Sequence, residues 1–406
     1  MRIGTTALAV GAAVFAPAVL TLAQSRSVTL ADVLARAREQ APQIVSARLA
    51  LEEARGRLHG ASIRLQTNPQ LDAAIGNRNG SVDRFTDFEL GVGQAFEPAS
   101  RRSARIAGAN AAIAQSAATA DEVTRTVLRE AASAYYRAVH ASERIRLLNA
   151  SHELALTVYS IADRRFKAGD IAVLDVNIAR ASLARVRAER EGAEASKALA
   201  LGELRQLLRL EDEVDVEGPL PRPGEAALDS ALQAAAQRPE LRVLEAGIQE
   251  AEAELRVGLS FSKPEYGVTA RYSREEGDQI VLGGMTVTLP VFSRGQEQRA
   301  VGSARATRLR AELDAARTRV QTEVRAAYNA YTRRLSALRL LETDAIPGLD
   351  ENDQLTTRSF DVGQLGLPDL LLIRREILET RFQYLDTLLE AALARVDLDA
   401  SAALVR

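Results

Sequence analysis

The sequence contains no cysteine and no tryptophan, and lysine occurs only at Lys167, Lys197 and Lys263. The absence of cysteine excludes disulfides, thiolate metal ligands and cysteine nucleophiles. Aromatic residues make up only 4% of the chain, and the formal net charge is −2. No basic tract stands out, so no nucleic-acid partner is expected. A chain with few aromatic residues and many Ala, Leu, Arg and Glu residues indicates long helices packed side by side.

Long apolar runs are also absent beyond the first residues of the chain. Residues 1–23 combine a positive start, an uncharged apolar stretch and a small-residue cleavage site, which predicts a secretory signal peptide rather than a membrane anchor. The mature chain then begins near Gln24. No later run approaches the ~20 apolar residues of a transmembrane helix. Membrane insertion would therefore require a β-barrel.

The two halves of the sequence repeat the same pattern. Residues 30–58 match residues 228–255, and each helical pattern is interrupted by a proline, Pro42 or Pro239. Two short β-like segments, a long helical stretch, a turn and a shorter helix follow in both halves. A period near 195 residues is too long for a solenoid repeat and indicates a duplicated half-molecule. We therefore expect a first structural repeat over 24–220 and a second over 221–406.

The helix lengths predict how each half is assembled. Residues 101–165 contain no proline, and such a helix spans on the order of 100 Å. The shorter helices over 30–58 and 171–209 span roughly 45 and 60 Å, so two of them placed end to end would match the long one. In the second half, Pro347 should kink the long helix.

A seven-residue repeat runs along the first long helix and predicts a left-handed supercoil, as in an ordinary coiled coil. It consists of Ile106, Ile113, Ala120, Val127, Ala134, Ala141 and Leu148.

The β-like segments alternate between apolar residues and polar or small ones. In one of them, Phe88, Leu90 and Val92 alternate with Glu89 and Gly91. An apolar face opposite a polar one is the pattern of a membrane barrel, although a soluble four-stranded sheet is the alternative. Four strands are too few to close a barrel, for which about eight is the practical minimum. The sequence thus predicts an oligomer, and a trimer is the smallest closed ring with room for a lumen.

Several stretches carry a family resemblance in their order and spacing. They are FEPASRRSARIAGANA, LPVFSRGQEQRAVGSARA, RPEL and FDVGQLGLPDLLLIRREILETRFQYLDTLLEAALA. The chain resembles the TolC family of outer-membrane efflux proteins, and these stretches are similar to the CzcC-like branch that serves heavy-metal and related RND pumps.

The resemblance implies a mostly α fold with a small β part. Each chain would give four strands to a shared twelve-stranded outer-membrane barrel, and long coiled-coil helices to a periplasmic tunnel. The homotrimer would be the passive outer-membrane conduit of a tripartite system. It would carry small solutes, metal cations or drugs, from an inner-membrane RND-type transporter and a periplasmic adaptor. Type I protein secretion is an alternative, and a periplasmic coiled-coil scaffold is an alternative of another class.

Two matching turns supply the candidate site residues. FKAGDIAVLD and FDVGQLGLPD place Phe166 with Gly169, and Phe360 with Gly363, at equal spacing. The resemblance implies that these turns dock the adaptor at the inner end of the tunnel.

Asp175 and Asp369 each stand six residues past a turn glycine. The resemblance implies that Asp369 narrows the pore entrance, with Asp175 at the matching position. Both could instead be acids that favour a helix start. The three histidines lack ligand spacing, and no nucleophile–base set is present, so we expect no metal site, no cofactor and no enzyme activity.

Overall fold

The computed structural model describes residues 26–79 and 83–404, so the signal peptide expected at 1–23 lies outside the described residues. Helices dominate, with a small sheet part. The elements in chain order are β1 (Arg26–Val28), α1 (Leu30–Gln40), α2 (Pro42–Ser62), β2 (Gln70–Asn79), β3 (Arg84–Phe96), α3 (Ala99–Lys167), α4 (Val173–Leu208), β4 (Val214–Val216), α5 (Leu228–Ala235), α6 (Pro239–Ser260), β5 (Glu265–Glu275), β6 (Asp278–Thr288), α7 (Gln296–Leu340), a π-helical turn (Leu341–Ala345), α8 (Leu349–Asp361) and α9 (Leu367–Ser401).

Both predicted proline interruptions are present. Pro42 and Pro239 are the first residues of α2 and α6, where a missing N–H leaves no helical hydrogen bond unmade. Thr29 begins α1 with a capping box, because its side chain and that of Asp32 each accept from the backbone N–H of the other.

The helices form four parallel columns. Helices α2 and α4 each pack on α3, while α6 and α9 each pack on both α3 and α7. Two shorter helices therefore cover one long helix, as the helix lengths predicted. The α3 helix has 69 residues, so its length is on the order of 100 Å. The column order is α2 with α4, then α3, then α6 with α9, then α7.

The predicted heptad row is correct for only part of α3. Val127, Ala134, Ala141 and Leu148 are buried, and the row continues through Ala155 and Ala162. Nearer the helix start the buried row is Ala104, Ala111 and Ala118, and the predicted Ile106, Ile113 and Ala120 are only half-buried. The start of α3 packs on α2 and α6, and its end on α4 and α9, so the buried face changes with the neighbours.

The second long helix is interrupted rather than kinked. Helix α7 ends at Leu340, a π-helical turn follows, and α8 begins at Leu349 beyond Pro347. The Ile346 N–H donates to the Leu341 carbonyl at 2.9 Å, which is the wider π-type spacing. Pro347 has no N–H and its ring would clash with the carbonyl four residues earlier, so the α-helix cannot continue through it.

The larger sheet has four antiparallel strands in the order β2-β3-β5-β6. Strands β3 and β5 bring the two halves of the chain together, with Leu90 opposite Tyr272 and Phe96 opposite Tyr266. A second, two-stranded parallel sheet joins β1 to β4 beside the middle of α3, where the Tyr135 hydroxyl donates to the Glu217 carbonyl at 3.0 Å. None of the helices in the described residues is both long and apolar enough to cross a membrane.

Candidate channel surfaces

One face of the four-stranded sheet is apolar and exposed. Cross-strand neighbours share a face, and the row Ala73, Leu90, Tyr272 and Val281 runs across all four strands. Ile75 is 77% exposed and Val281 is 79% exposed. The other large exposed members are Leu71, Phe88, Leu90, Val92, Phe96, Tyr266, Val268, Met285 and Val287. A contiguous exposed apolar face of this size marks an interaction with lipid or protein.

The opposite face is polar and lined by small residues. Arg271 on β5 pairs with Glu89 on β3 at 2.7 Å. Glycines make room beside the threonines, because a Cβ at Gly267 would clash with the Thr286 hydroxyl and one at Gly284 would lie 2.8 Å from the Thr269 hydroxyl. The alternation predicted from the sequence is therefore present.

The four-stranded sheet and the helical bundle each have two unpaired edges, and these edges lie on the same two sides of the molecule. In the sheet the edge strands are β2 and β6. Among the helices, α2 with α4 forms one outer column and α7 forms the other. Since β2 follows α2 and β6 precedes α7 in the chain, each sheet edge continues into a helical edge.

The outer helical edges carry mainly small, exposed residues. On α4 they lie opposite the buried face and comprise Leu174, Asn177, Ala181, Ala184, Ala188, Gly192, Ala195 and Leu199. On α7 the corresponding residues are Ala311, Ala315, Thr318, Thr322, Asn329, Ser336 and Leu340. Small side chains allow the backbones of neighbouring helices to approach closely.

The two turns have the same backbone geometry. Gly169 and Gly363 have φ of 85° and 76°, and each N–H donates to the carbonyl of the phenylalanine three residues earlier, at 2.9 and 3.1 Å. The next N–H, of Asp170 or Gln364, reaches back five residues in both turns. These are Schellman-type helix ends, in which positive φ favours glycine.

The two phenylalanines are not equivalent. Phe166 is 41% exposed, whereas Phe360 is 8% exposed and packs with Val158, Val176 and Leu370 between the two hairpins. The Arg165 guanidinium lies 5.5 Å from the centre of the Phe360 ring. Only Phe166 of the pair presents a large apolar surface at the tip.

Asp175 and Asp369 occupy the same position, the third residue of α4 and of α9. Asp175 is half-buried and Asp369 is exposed. Within residues 26–79 and 83–404, neither carboxylate forms an ion pair or a side-chain hydrogen bond. The helix dipole favours an acid at both positions.

Comparison with known proteins connects the first half of the chain to a family. Residues 33–208 match the family model "Outer membrane efflux protein". This segment of the chain belongs to the outer membrane efflux protein family. The family resemblance stated from the sequence is confirmed, and the location of this efflux protein is the cell outer membrane.

Its relatives align with it over most of their length. The efflux protein is 24% identical to the cobalt-zinc-cadmium resistance protein CzcC of Cupriavidus metallidurans, over 83% of this chain and 81% of that protein. The CmeC outer membrane channel of Campylobacter jejuni has a TM-score of 0.74 at 16% identity, over 98% of this chain and 94% of that one. A membrane protein from Pseudomonas aeruginosa has a TM-score of 0.77 at 18% identity, over 92% of both chains. The predicted TolC-like fold, mostly α with a small β part, is confirmed.

Sequence reasoning missed the polar contacts that join the hairpins of this efflux protein. His140 on α3 contacts Asp386 on α9, and Arg144 stacks on the Phe382 ring at 4.0 Å. No spacing signal pointed to them, because the partners lie more than 230 residues apart. In the described part of the chain, no three His, Cys, Asp or Glu side chains come together as a metal site.

Proposed function

We propose that this efflux protein works as a homotrimer, the outer-membrane conduit of a tripartite efflux system. The observation that carries the proposal is the agreement between the two layers, because sheet and helices end on the same pair of open edges. One rotation that places β6 of one copy beside β2 of the next also places α7 beside α2 and α4. A ring of copies would therefore close both layers at once.

Three copies supply twelve strands, enough for a barrel with an open lumen. The exposed apolar face, with Ile75 and Val281, would contact outer-membrane lipid, and the polar face with Glu89 and Arg271 would line the lumen. Lipid contact explains why so large an apolar face lies uncovered by the rest of the chain.

The helical part would form a periplasmic tunnel on the order of 100 Å long, set by α3. Its tip, with Phe166, Gly169 and Gly363, would dock a periplasmic adaptor, which joins it to an inner-membrane transporter of the RND type. Phe360 supports the docking surface from behind, since it is buried between the hairpins. Asp175 and Asp369 would face the pore entrance.

The matching order of elements in the two halves supports a duplicated chain, with repeats over 24–220 and 221–406. The conduit would be passive and would have no enzyme activity. Its cargo would be small solutes, and divalent metal cations are the first class to test because the CzcC relative is named for resistance to cobalt, zinc and cadmium.

Membrane extraction and metal export test the proposal together. Membranes carrying the protein are washed with high salt and then with detergent, and the strain lacking the gene is grown in cobalt, zinc and cadmium. We expect release only by detergent, and lowered metal tolerance that the intact gene restores. Release by salt would indicate a periplasmic scaffold. Detergent-dependent release with unchanged tolerance to all three metals would contradict metal export and leave organic solutes as the cargo.

A further inference from the structure

A cleft of about 730 Å³ lies between α3, α4 and α9, where the two hairpins meet. This volume falls within the range of small-molecule sites, about 300–1,000 Å³. Leu154, on the α3 wall, is ~80 Å along the helix from Ala99, the residue next to the sheet. A lipid held in a membrane around the sheet could not reach the cleft, so its occupant would be a freely diffusing molecule.

The cleft has mainly apolar walls from all three helices. They include Leu154 and Val158 on α3, Ile178 on α4, and Leu371 and Leu378 on α9. Such walls fit an aromatic or alkyl body, because burying apolar surface is worth about 25 cal/mol per Å².

Arg374 lies in the α9 wall, and few neighbouring groups compensate its positive charge. Its side chain is only 13% exposed, and its Nε has no hydrogen-bond partner in the described residues. The guanidinium makes one hydrogen bond, from Nη2 to the Thr357 hydroxyl at 3.0 Å, and its nearest carboxylate, Asp353, is 3.7 Å away. Burial lowers the pKa of Arg374, with Asp353 and Asp361 acting in the opposite sense. A buried cation with so few partners favours an added anion.

Arg185 supplies a second cation, from the α4 wall. In the described residues it forms no ion pair, and neither does Glu189, the carboxylate of the cleft wall four residues later on the same helix. The other charged lining groups are engaged outside the cleft. Arg375 pairs with Glu379, Arg381 pairs with Asp350, and Glu153 pairs with His152. Among the charged lining groups, Arg374 is therefore the one that is buried with a nitrogen left without a hydrogen bond.

We propose that the cleft binds an amphipathic organic anion, whose carboxylate or sulfonate contacts Arg374 and Arg185 and whose apolar body lies against Leu154, Ile178 and Leu378. Neither the trimer nor the identity of the exported solute is needed for this site, so its test is independent of the proposed function.

Isothermal titration calorimetry on the full protein in non-ionic detergent tests the site, with 2-naphthalenesulfonate as the probe and a protein-free micelle titration subtracted. The 2-naphthyltrimethylammonium cation has the same ring system and the opposite charge. We expect the sulfonate to bind at least tenfold more tightly than the ammonium. Arg374→Met should weaken sulfonate binding at least tenfold, and Arg185→Met severalfold.

Arg187→Met is the matched control, because Arg187 does not line the cleft and contacts His152 at 3.2 Å. It should bind the sulfonate within twofold of the parent. Circular dichroism checks that each variant is folded. If Arg374→Met does not fold, the proposal is tested by Arg185→Met and by the comparison of the sulfonate and ammonium probes on the parent protein. Equal affinity for the two probes, no sulfonate binding at millimolar concentration, or parental affinity in the folded arginine variants would overturn the proposal.

Discussion

His140 on α3 and Asp386 on α9 join the two helical hairpins directly, with His140 Nε2 2.7 Å from Asp386 Oδ1. Arg144 approaches the same carboxylate at 3.4 Å. The hydrogen bond from His140 is the main cause that lowers the pKa of Asp386, helped by the charges of His140 and Arg144 and opposed by burial. The contact ties the first half of the chain to the second at the middle of the helices.

The first prediction concerns acid stability. A carboxyl group whose pKa is lowered by folding stabilises the protein fully above its unfolded pKa, and this contribution is lost as the pH falls through the folded value. Asp386→Asn should therefore lower the melting temperature at pH 7, by an amount equivalent to about 0.5–1 kcal/mol because the side chain is half exposed. The difference from the parent should shrink as the pH falls below about 4.

Circular dichroism melting of both proteins between pH 7 and pH 3 measures this effect. Asp397→Asn is the control, since Asp397 is equally exposed and pairs with Arg129 between the same two helices, but has no histidine partner. An Asp386→Asn difference that stays constant across the pH range would show that the carboxylate charge is not what stabilises the contact.

The second prediction tests the orientation of the sheet with two adjacent residues. Val281 lies on the apolar face and Leu282 on the opposite one. Val281→Arg should impair assembly in the outer membrane, at a cost of about 2–4 kcal/mol near the bilayer midplane, while Leu282→Arg should be tolerated in a polar lumen. Comparing the amounts of detergent-extractable protein in outer-membrane fractions checks both. Loss of outer-membrane protein only for Leu282→Arg would show that the two faces are assigned the wrong way round. Equal loss in both variants would remove the assignment.

The third prediction concerns the turns at the helical tip. Gly169→Val and Gly363→Val should each weaken coupling to the adaptor, because a β-branched residue resists the positive φ found there. No atom would contact a Cβ at either position, so the effect comes from the backbone alone. The matched variants Gly169→Asn and Gly363→Asn should retain more coupling, since Asn tolerates this conformation. Site-specific crosslinking to the adaptor and export in cells measure the effect, and unchanged values for both Val variants would argue against a docking role.

The fourth prediction concerns the pore entrance. Three copies would gather six carboxylates from Asp175 and Asp369, which should make the resting pore cation-selective at low salt. Asp369→Asn should reduce the selectivity, and Asp175→Asn should reduce it less, in keeping with its lower exposure. Reversal potentials in planar bilayers under a salt gradient measure this. If the double Asn variant keeps the parental reversal potential, the two acids do not line the pore.

The sequence predicted elements well wherever a local signal was strong. An uninterrupted stretch over 101–165 anticipated α3 to within two residues at each end, and the glycine spacing anticipated both turns. The alternation in the strands anticipated the two faces of the sheet. These features depend on residues close together in the chain, so periodicity and backbone preference suffice to find them.

Features that depend on distant partners could not be predicted in this way. A heptad pattern shows that a helix face is buried but not which helix covers it, so the change of buried row before Val127 was missed. Phe360 and Phe166 have the same spacing, yet only Phe360 lies between the two hairpins. The cleft beside Arg374 likewise forms only when three helices from both halves come together.

The number of chains in the assembly tests the central claim most directly. Native mass spectrometry of the mature protein, extracted from outer membranes in detergent, counts them. A closed ring built on the shared open edges of sheet and helices predicts a stable complex of three chains. A folded, helical monomer that persists under the same conditions would contradict the account, because four strands from one chain cannot close a barrel.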